Sequence, residues 1–176
     1  MNSPHPDPFS LADEAAAALV ERTGQATHDA VVILGSGWAA AADGLGEVLT
    51  DVALDDLPGF PAPTVAGHRN SALSVAVGDT TTLVLGGRSH LYEGHPVSTV
   101  VHGVRTAIAA GCRVAVLTNA AGGLNPAWPV GQPVVLCDQL NLTGTSPMAG
   151  PPPPPDRPAR FVELSTSCAS FRNLME

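Results

Sequence analysis

The chain has 176 residues, 44% hydrophobic and 14% charged, which suits one compact α/β core and is short for two domains of ordinary size. Eight arginines and no lysine against 16 acidic residues give a formal net charge of −8, which excludes a broad basic surface for nucleic acid or anionic lipid. Cys112, Cys137 and Cys168 are odd in number and widely spaced, which fits neither a disulfide framework nor a zinc ligand set; a reducing cytoplasm is the expected home.

The opening MNSPHPDPFS lacks a basic start followed by an apolar run, and no stretch approaches transmembrane length, so a soluble, unexported protein is expected. Ser10 and Asp13 have the spacing of a helix cap and Gly24 that of a stop, predicting a first helix over 11–23. AVVIL at 30–34 is a β-branched run too short for a helix, and it leads straight into Gly35-Ser36-Gly37, a buried strand ending in a glycine-rich turn. A short helix over 38–43 and a strand over 47–54 follow. SALSVAV and TTTLVLG flank Gly78-Asp79, the signature of a two-residue hairpin.

Pro96 suits the first turn of a helix with Val97, Val100, Val101, Val104 and Ile108 on one face, closed by Gly111. RVAVLTNAAGG repeats the pattern of a buried strand entering a small-residue turn, and PVVLCDQLNL at 133–142 reads as another strand. From Pro147 the run PMAGPPPPPDRP favours polyproline II, and the final residues are only weakly helical in pattern. Strands alternating with helices predict an α/β fold: a mostly parallel mixed sheet flanked by helices, with one antiparallel hairpin inserted. Ligands of such sheets sit at the carboxyl ends of strands, which directs attention to the glycine-rich turns.

Gly35-Ser36-Gly37 offers backbone N–H groups and a hydroxyl that can hold a phosphate, although a tight turn needing glycine explains the triplet equally well. The segment 86–95, GGRSHLYEGH, is the densest polar cluster and follows an apolar strand directly. Arg88 supplies a planar donor fork for an anion, His90 a further donor, Tyr92 a ring and hydroxyl for a sugar, and Glu93 a carboxylate to orient His90 or Arg88. His68 reads as a surface histidine on residues alone. Asn119-Ala120-Ala121-Gly122-Gly123 lets a ligand approach the backbone closely. His5, His28 and His102 read as solvent or core residues, and Trp38 and Trp128 as packing.

Taken in order, VVILGSGW, TVAGHRN, GGRSHLYEGH and VLTNAAGGLNP resemble the trimeric-type purine nucleoside phosphorylase family, most clearly over 31–150. The resemblance implies a nucleoside phosphorylase-like fold and reversible phosphorolysis of purine ribosides and deoxyribosides such as inosine and guanosine. It implies a homotrimer, with no metal and no organic cofactor. It places Ser36, His68, Arg88, His90 and the Ala120 backbone at phosphate, Tyr92, Ala120, Ala121 and Gly122 at the nucleoside, and His90 and Glu93 in catalytic roles. Trp38 departs from the small or aliphatic residue expected after the glycine turn and can crowd it. The family's base-recognising glutamate and asparagine have no counterpart here, so residues 1–164 read as an incomplete, C-terminally truncated domain and 165–176 as a divergent tail. Reduced activity is the corresponding expectation, and a non-catalytic phosphate- or nucleoside-binding remnant is the alternative. A dinucleotide-binding domain is a further reading, with Gly35-Ser36-Gly37 as a loose fingerprint and Asp55 as the ribose acceptor.

Overall fold

The computed structural model of the chain describes residues 6–62 and 70–157, which fall into two units, Met1–Ala120 and Ala121–Glu176. His68 and the expected tail at 165–176 lie outside the described residues.

The first unit begins with helix α1 (Pro8–Thr23), whose start differs from the predicted one. Asp7 rather than Ser10 is the cap: its carboxylate accepts the Ser10 N–H at 2.8 Å and the Ser10 hydroxyl at 3.0 Å. Pro8 then occupies the first turn, where a missing N–H costs nothing. Gly24 closes the helix in the left-handed region (φ 69°), its N–H bonded to the Val20 carbonyl.

Five strands follow, β1 (Ala30–Ile33), β2 (Glu47–Ala53), β3 (Ser71–Val77), β4 (Thr80–Leu85) and β5 (Val114–Leu117), in the sheet order β2-β3-β4-β1-β5. The sheet is mixed. β1 lies parallel to both β4 and β5, whereas β3 pairs antiparallel with β2 and, across the predicted Gly78-Asp79 turn, with β4. The chain after β1 makes only a 3₁₀ helix (Ala39–Gly44) and then crosses to the antiparallel edge strand β2. A dinucleotide fold needs a crossover helix there leading to a neighbouring parallel strand, so that reading fails. Asp55, its supposed ribose acceptor, instead accepts a hydrogen bond from the Asn70 amide at 3.1 Å.

The helix expected after Pro96 is broken at Val101 into α2 (Val97–Val100) and α3 (His102–Ala109). Ser98, Thr99, Val100 and Val101 are all weak helix formers, and the break rotates the buried face. His102, Thr106, Ala107 and Ala110 point inward, while Ile108, expected in the core, is exposed. Gly111 ends the segment in the left-handed region (φ 96°), as predicted.

Strand alternation sends side chains to two cores. On one face Val31, Ile33, Val52, Ala72, Leu83 and Leu85 pack with Ala16 and Leu19 of α1 and Ala107 of α3. On the other, Leu34, Leu73, Val75 and Val84 pack with Ala42 of the 3₁₀ helix. β5, expected as a buried strand, is instead an edge strand among the described residues, opposite β2, and its Val114, Val116 and Leu117 are exposed because only one of its sides is paired.

The second unit contains neither helix nor strand among its described residues. The strand predicted at 133–142 is absent there: Val134, Val135, Leu136, Leu140 and Leu142 are exposed along irregular chain. A strand is defined by its partner, and this run has none among the described residues. After the five prolines at 151–155 the Arg157 N–H donates to the Pro154 carbonyl, closing a turn.

Two histidines are fully enclosed in the first unit. His28 is 1% exposed and its Nε2 lies 2.6 Å from the Ser74 hydroxyl; His102 is 3% exposed and its Nε2 donates to the Pro58 carbonyl at 2.8 Å. Burial lowers both pKa values from the ordinary 6.5, opposed at His28 by Asp29 and at His102 by the Pro58 hydrogen bond. On acidification the unfolded chain therefore takes up these protons first. The associated stability is complete above about pH 6.5 and is lost as pH falls toward the folded-state values. The thermal midpoint should hold steady down to about pH 7 and decline as pH falls below about 6.5, before the carboxylate range is reached. His28→Gln, which cannot titrate, should flatten that decline; an unchanged slope in melts of the variant would remove His28 as its source.

Candidate functional site

The three parallel strands β4, β1 and β5 are neighbours, so the segments leaving their carboxyl ends emerge side by side: Gly86–Arg88, Gly35–Trp38 and Thr118–Ala120. Backbone pairing sets their level. The Leu34 N–H donates to the Leu85 carbonyl and the Thr118 N–H to the Ile33 carbonyl. The Thr118 hydroxyl then accepts the Gly35 N–H at 3.0 Å and reaches the Ile33 carbonyl at 3.3 Å, tying the ends of β1 and β5 together.

Gly35 is packed from two sides. A Cβ placed there would fall on the Thr118 carbonyl oxygen, 2.5 Å from Arg88 Nη2 and 2.9 Å from the Asn119 Cα. That close approach is why glycine stands here, and it locates the Arg88 guanidinium against the turn. Gly37 adopts φ 83°, a conformation that L side chains rarely take, and its open side faces the Ala120 methyl. The chain closes with the Trp38 N–H on the Gly35 carbonyl at 3.1 Å.

Among the described residues the Arg88 guanidinium has no carboxylate or hydrogen-bond partner, and neither do the Ser36 hydroxyl and the Ser36 and Gly37 N–H groups. An unpaired, half-buried guanidinium facing free N–H groups is a place for an anion, because such a cation in a chain of net charge −8 would otherwise find a carboxylate. The 3₁₀ helix beyond the turn is only six residues long, so the turn's own donors must carry this task without the expected help of a helix dipole.

His90, Tyr92 and Glu93 form a second group, around a 3₁₀ helix at Leu91–Glu93. The Glu93 carboxylate accepts the His90 backbone N–H at 2.7 Å and lies 3.1 Å from His90 Nδ1, so of the two partners expected for it, it orients His90. With Nδ1 beside the Glu93 carboxylate, Nε2 is left without a hydrogen-bond partner among the described residues. Tyr92 stacks on the imidazole with ring centroids 4.7 Å apart and planes inclined by 17°, and is otherwise 84% exposed. Ala120 lies beside Gly37, whereas Ala121 and Gly122 belong to the second unit and are exposed there.

Two participants were missed by sequence reasoning. Thr118 was passed over between an apolar strand and a conspicuous asparagine, although a hydroxyl at a strand end is a common tie for a neighbouring turn. Trp38, read as packing, is 38% exposed and its indole N–H donates to the Asn119 carbonyl at 3.3 Å. Trp128 is likewise half-exposed, beside Gly123.

The sequence pattern of the phosphorylase superfamily matches residues 29–176, and the chain belongs to that superfamily. Within it, the chain is 52% identical over 165 residues to the purine nucleoside phosphorylases of Mycobacterium tuberculosis and Mycobacterium bovis, covering 94% of this chain and 59% of theirs. It is 48% identical to the Cellulomonas purine nucleoside phosphorylase, covering 86% of this chain and 55% of that one. Among solved structures, isoform 2 of the Schistosoma mansoni purine nucleoside phosphorylase, in complex with cytosine and ribose-1-phosphate, superposes with a TM-score of 0.59 at 29% identity, covering 68% of this chain and 43% of that one. The chain thus spans about 59% of the length of its mycobacterial relatives.

Gly35→Ala tests the packing at the centre of this site. The added methyl meets backbone atoms that cannot turn aside, so a loss of about 1–3 kcal/mol in stability is expected, measured by chemical denaturation. A variant as stable as the parent would show that the ends of β1 and β5 can move apart.

Proposed function

We propose that this chain carries the phosphate-holding part of a purine nucleoside phosphorylase. The reaction is the reversible phosphorolysis of purine ribosides and deoxyribosides, such as inosine and guanosine, to the free base and the pentose 1-phosphate. The observation that carries this reading is the unpaired Arg88 guanidinium against the Gly35–Gly37 turn, where three strand ends meet. The names of the relatives support it.

In this reading Arg88 grips two phosphate oxygens, and the Ser36 hydroxyl and turn N–H groups hold a third. His68, which lies outside the described residues, and the Ala120 N–H complete the set. His90, held by Glu93 through Nδ1, presents Nε2 to accept the hydrogen of a monoprotonated phosphate, or to donate as the imidazolium. Tyr92 covers the ribose, and the Ala120 backbone lines the nucleoside side. A phosphate oxygen attacks the anomeric carbon as the bond to the purine nitrogen breaks and its electron pair leaves with the base. Positioning the anion removes much of the entropic barrier, and donors to the departing base supply the rest. No metal or organic cofactor is required. A cytoplasmic homotrimer is the assembly this reading assumes.

Arg88→Ala should weaken inorganic phosphate binding by roughly 10- to 100-fold, the effect of losing a bidentate charge-assisted contact worth about 1.5–3 kcal/mol. Calorimetric affinity equal to the parent's would reject the anion site.

Turnover by the 176 residues alone is a separate matter. Losing one preorganised donor to developing charge typically costs about 10²–10³ in rate, and the base-recognising pair implied by the resemblance has no counterpart here. Hypoxanthine release from inosine and phosphate should therefore run at least about 100-fold below that of the mycobacterial relative. The assay uses protein from a host lacking its own phosphorylases. Comparable turnover, abolished by Arg88→Ala, would show that the chain is competent by itself; phosphate binding without any turnover fits the non-catalytic alternative.

A further inference from the structure

Trp38 lies at a junction that the proposed reaction does not yet use. Its backbone is fixed at both ends, the N–H on the Gly35 carbonyl at 3.1 Å and the carbonyl accepting the Ala41 N–H at 2.9 Å. Its indole crosses from the β1 turn to the β5 turn and donates to the Asn119 carbonyl at 3.3 Å. A large aromatic residue that remains 38% exposed is not held there by burial alone.

The bonded carbonyl belongs to the peptide joining Asn119 to Ala120. A trans peptide is planar, so its carbonyl and its N–H point in opposite directions; among the described residues no peptide is cis. An indole that holds the Asn119 carbonyl on one side therefore sets the direction of the Ala120 N–H on the other. Together with the Thr118 hydroxyl on the Gly35 N–H, this bond links the two turns among the described residues. The Asn119 amide, bonded to the Ala120 carbonyl at 3.2 Å, acts within its own turn and does not provide that reference.

We infer that Trp38 is a positioning residue of the anion site: its indole N–H orients the Ala120 N–H toward phosphate, and its fluorescence reports phosphate occupancy. This rests on the anion site proposed above. The residue does not touch the phosphate; it fixes the peptide that does, so its loss loosens a donor without removing a charge.

The test uses the full chain and inorganic phosphate. Trp38→Phe keeps an aromatic ring and loses the donor, and should weaken phosphate binding by calorimetry roughly three- to tenfold, the scale of one neutral hydrogen bond, with little change in the thermal midpoint. Because the chain has only two tryptophans, Trp128→Phe leaves Trp38 as the sole tryptophan, excited selectively apart from Tyr92. Its emission should then change saturably with phosphate, at the calorimetric midpoint, and the Arg88→Ala background should shift that midpoint to higher phosphate. Phosphate affinity unchanged in Trp38→Phe, with Arg88→Ala still weakening binding, would overturn the inference and leave the anion site standing. A lower melting temperature with unchanged affinity would overturn it in favour of simple packing. Absence of phosphate binding in the parent would overturn both.

Discussion

The architecture depends on one steric constraint, the lack of room for a side chain at Gly35. β1 is flanked by β4 and β5 in parallel register, and the chain leaving it must pass between the Thr118 carbonyl, the Asn119 backbone and the Arg88 guanidinium. Only a residue without a Cβ allows three strand ends to converge this tightly. Their convergence brings the donors of a serine-glycine turn, an arginine and a threonine-asparagine turn into one small volume. Each segment alone offers only part of that donor set.

The two faces of the sheet support that arrangement differently. The face under α1 and α3 is an apolar core. His28 and His102 are buried as well, with Nε2 bonded to Ser74 and Pro58 respectively, while His28 Nδ1 has no partner among the described residues. Cys112 belongs to the same core, where burial, with a contribution from Asp29, raises its thiol pKa to about 11 and keeps it an inert hydrophobe. On the opposite face, within the first unit, a 3₁₀ helix that continues directly from the glycine turn packs on the sheet. The packed core fixes the strands, and the Gly35–Gly37 turn leads directly into that 3₁₀ helix.

The strands whose partners lie close in sequence, or whose apolar runs end in glycine, were legible from the residues: Val31–Leu34 entering Gly35, the hairpin about Gly78-Asp79, and Val114–Leu117 entering Asn119. So were Arg88, Tyr92 and Glu93 as a polar cluster at a strand end. The errors have a common origin in contacts that a local pattern does not contain. Residues 133–142 have strand composition, but a strand exists only with a neighbour. The break at Val101 reflects a weak run that a count of four valines and Ile108 on one face overrode. Asp7 took the cap from Ser10 because Pro8 favours the first turn. Thr118 and Trp38 matter through hydrogen bonds reaching 83 and 81 residues along the chain, a separation that no periodicity encodes.

The open edge of the sheet has a consequence for how this polypeptide behaves among its own copies. β5 is four residues of Val-Ala-Val-Leu with three large apolar side chains exposed, and among the described residues one side of its backbone ladder lacks a neighbour in the sheet. Soluble sheet proteins commonly blunt such edges with lysine, proline or an inward charge, and this chain has no lysine anywhere and no proline in β5. The net charge of −8 keeps molecules apart at long range, but salt at physiological strength screens it beyond about 8 Å. Colloidal behaviour should therefore turn on ionic strength: the same salt that leaves the interior untouched removes the repulsion that keeps one bare strand from templating on another.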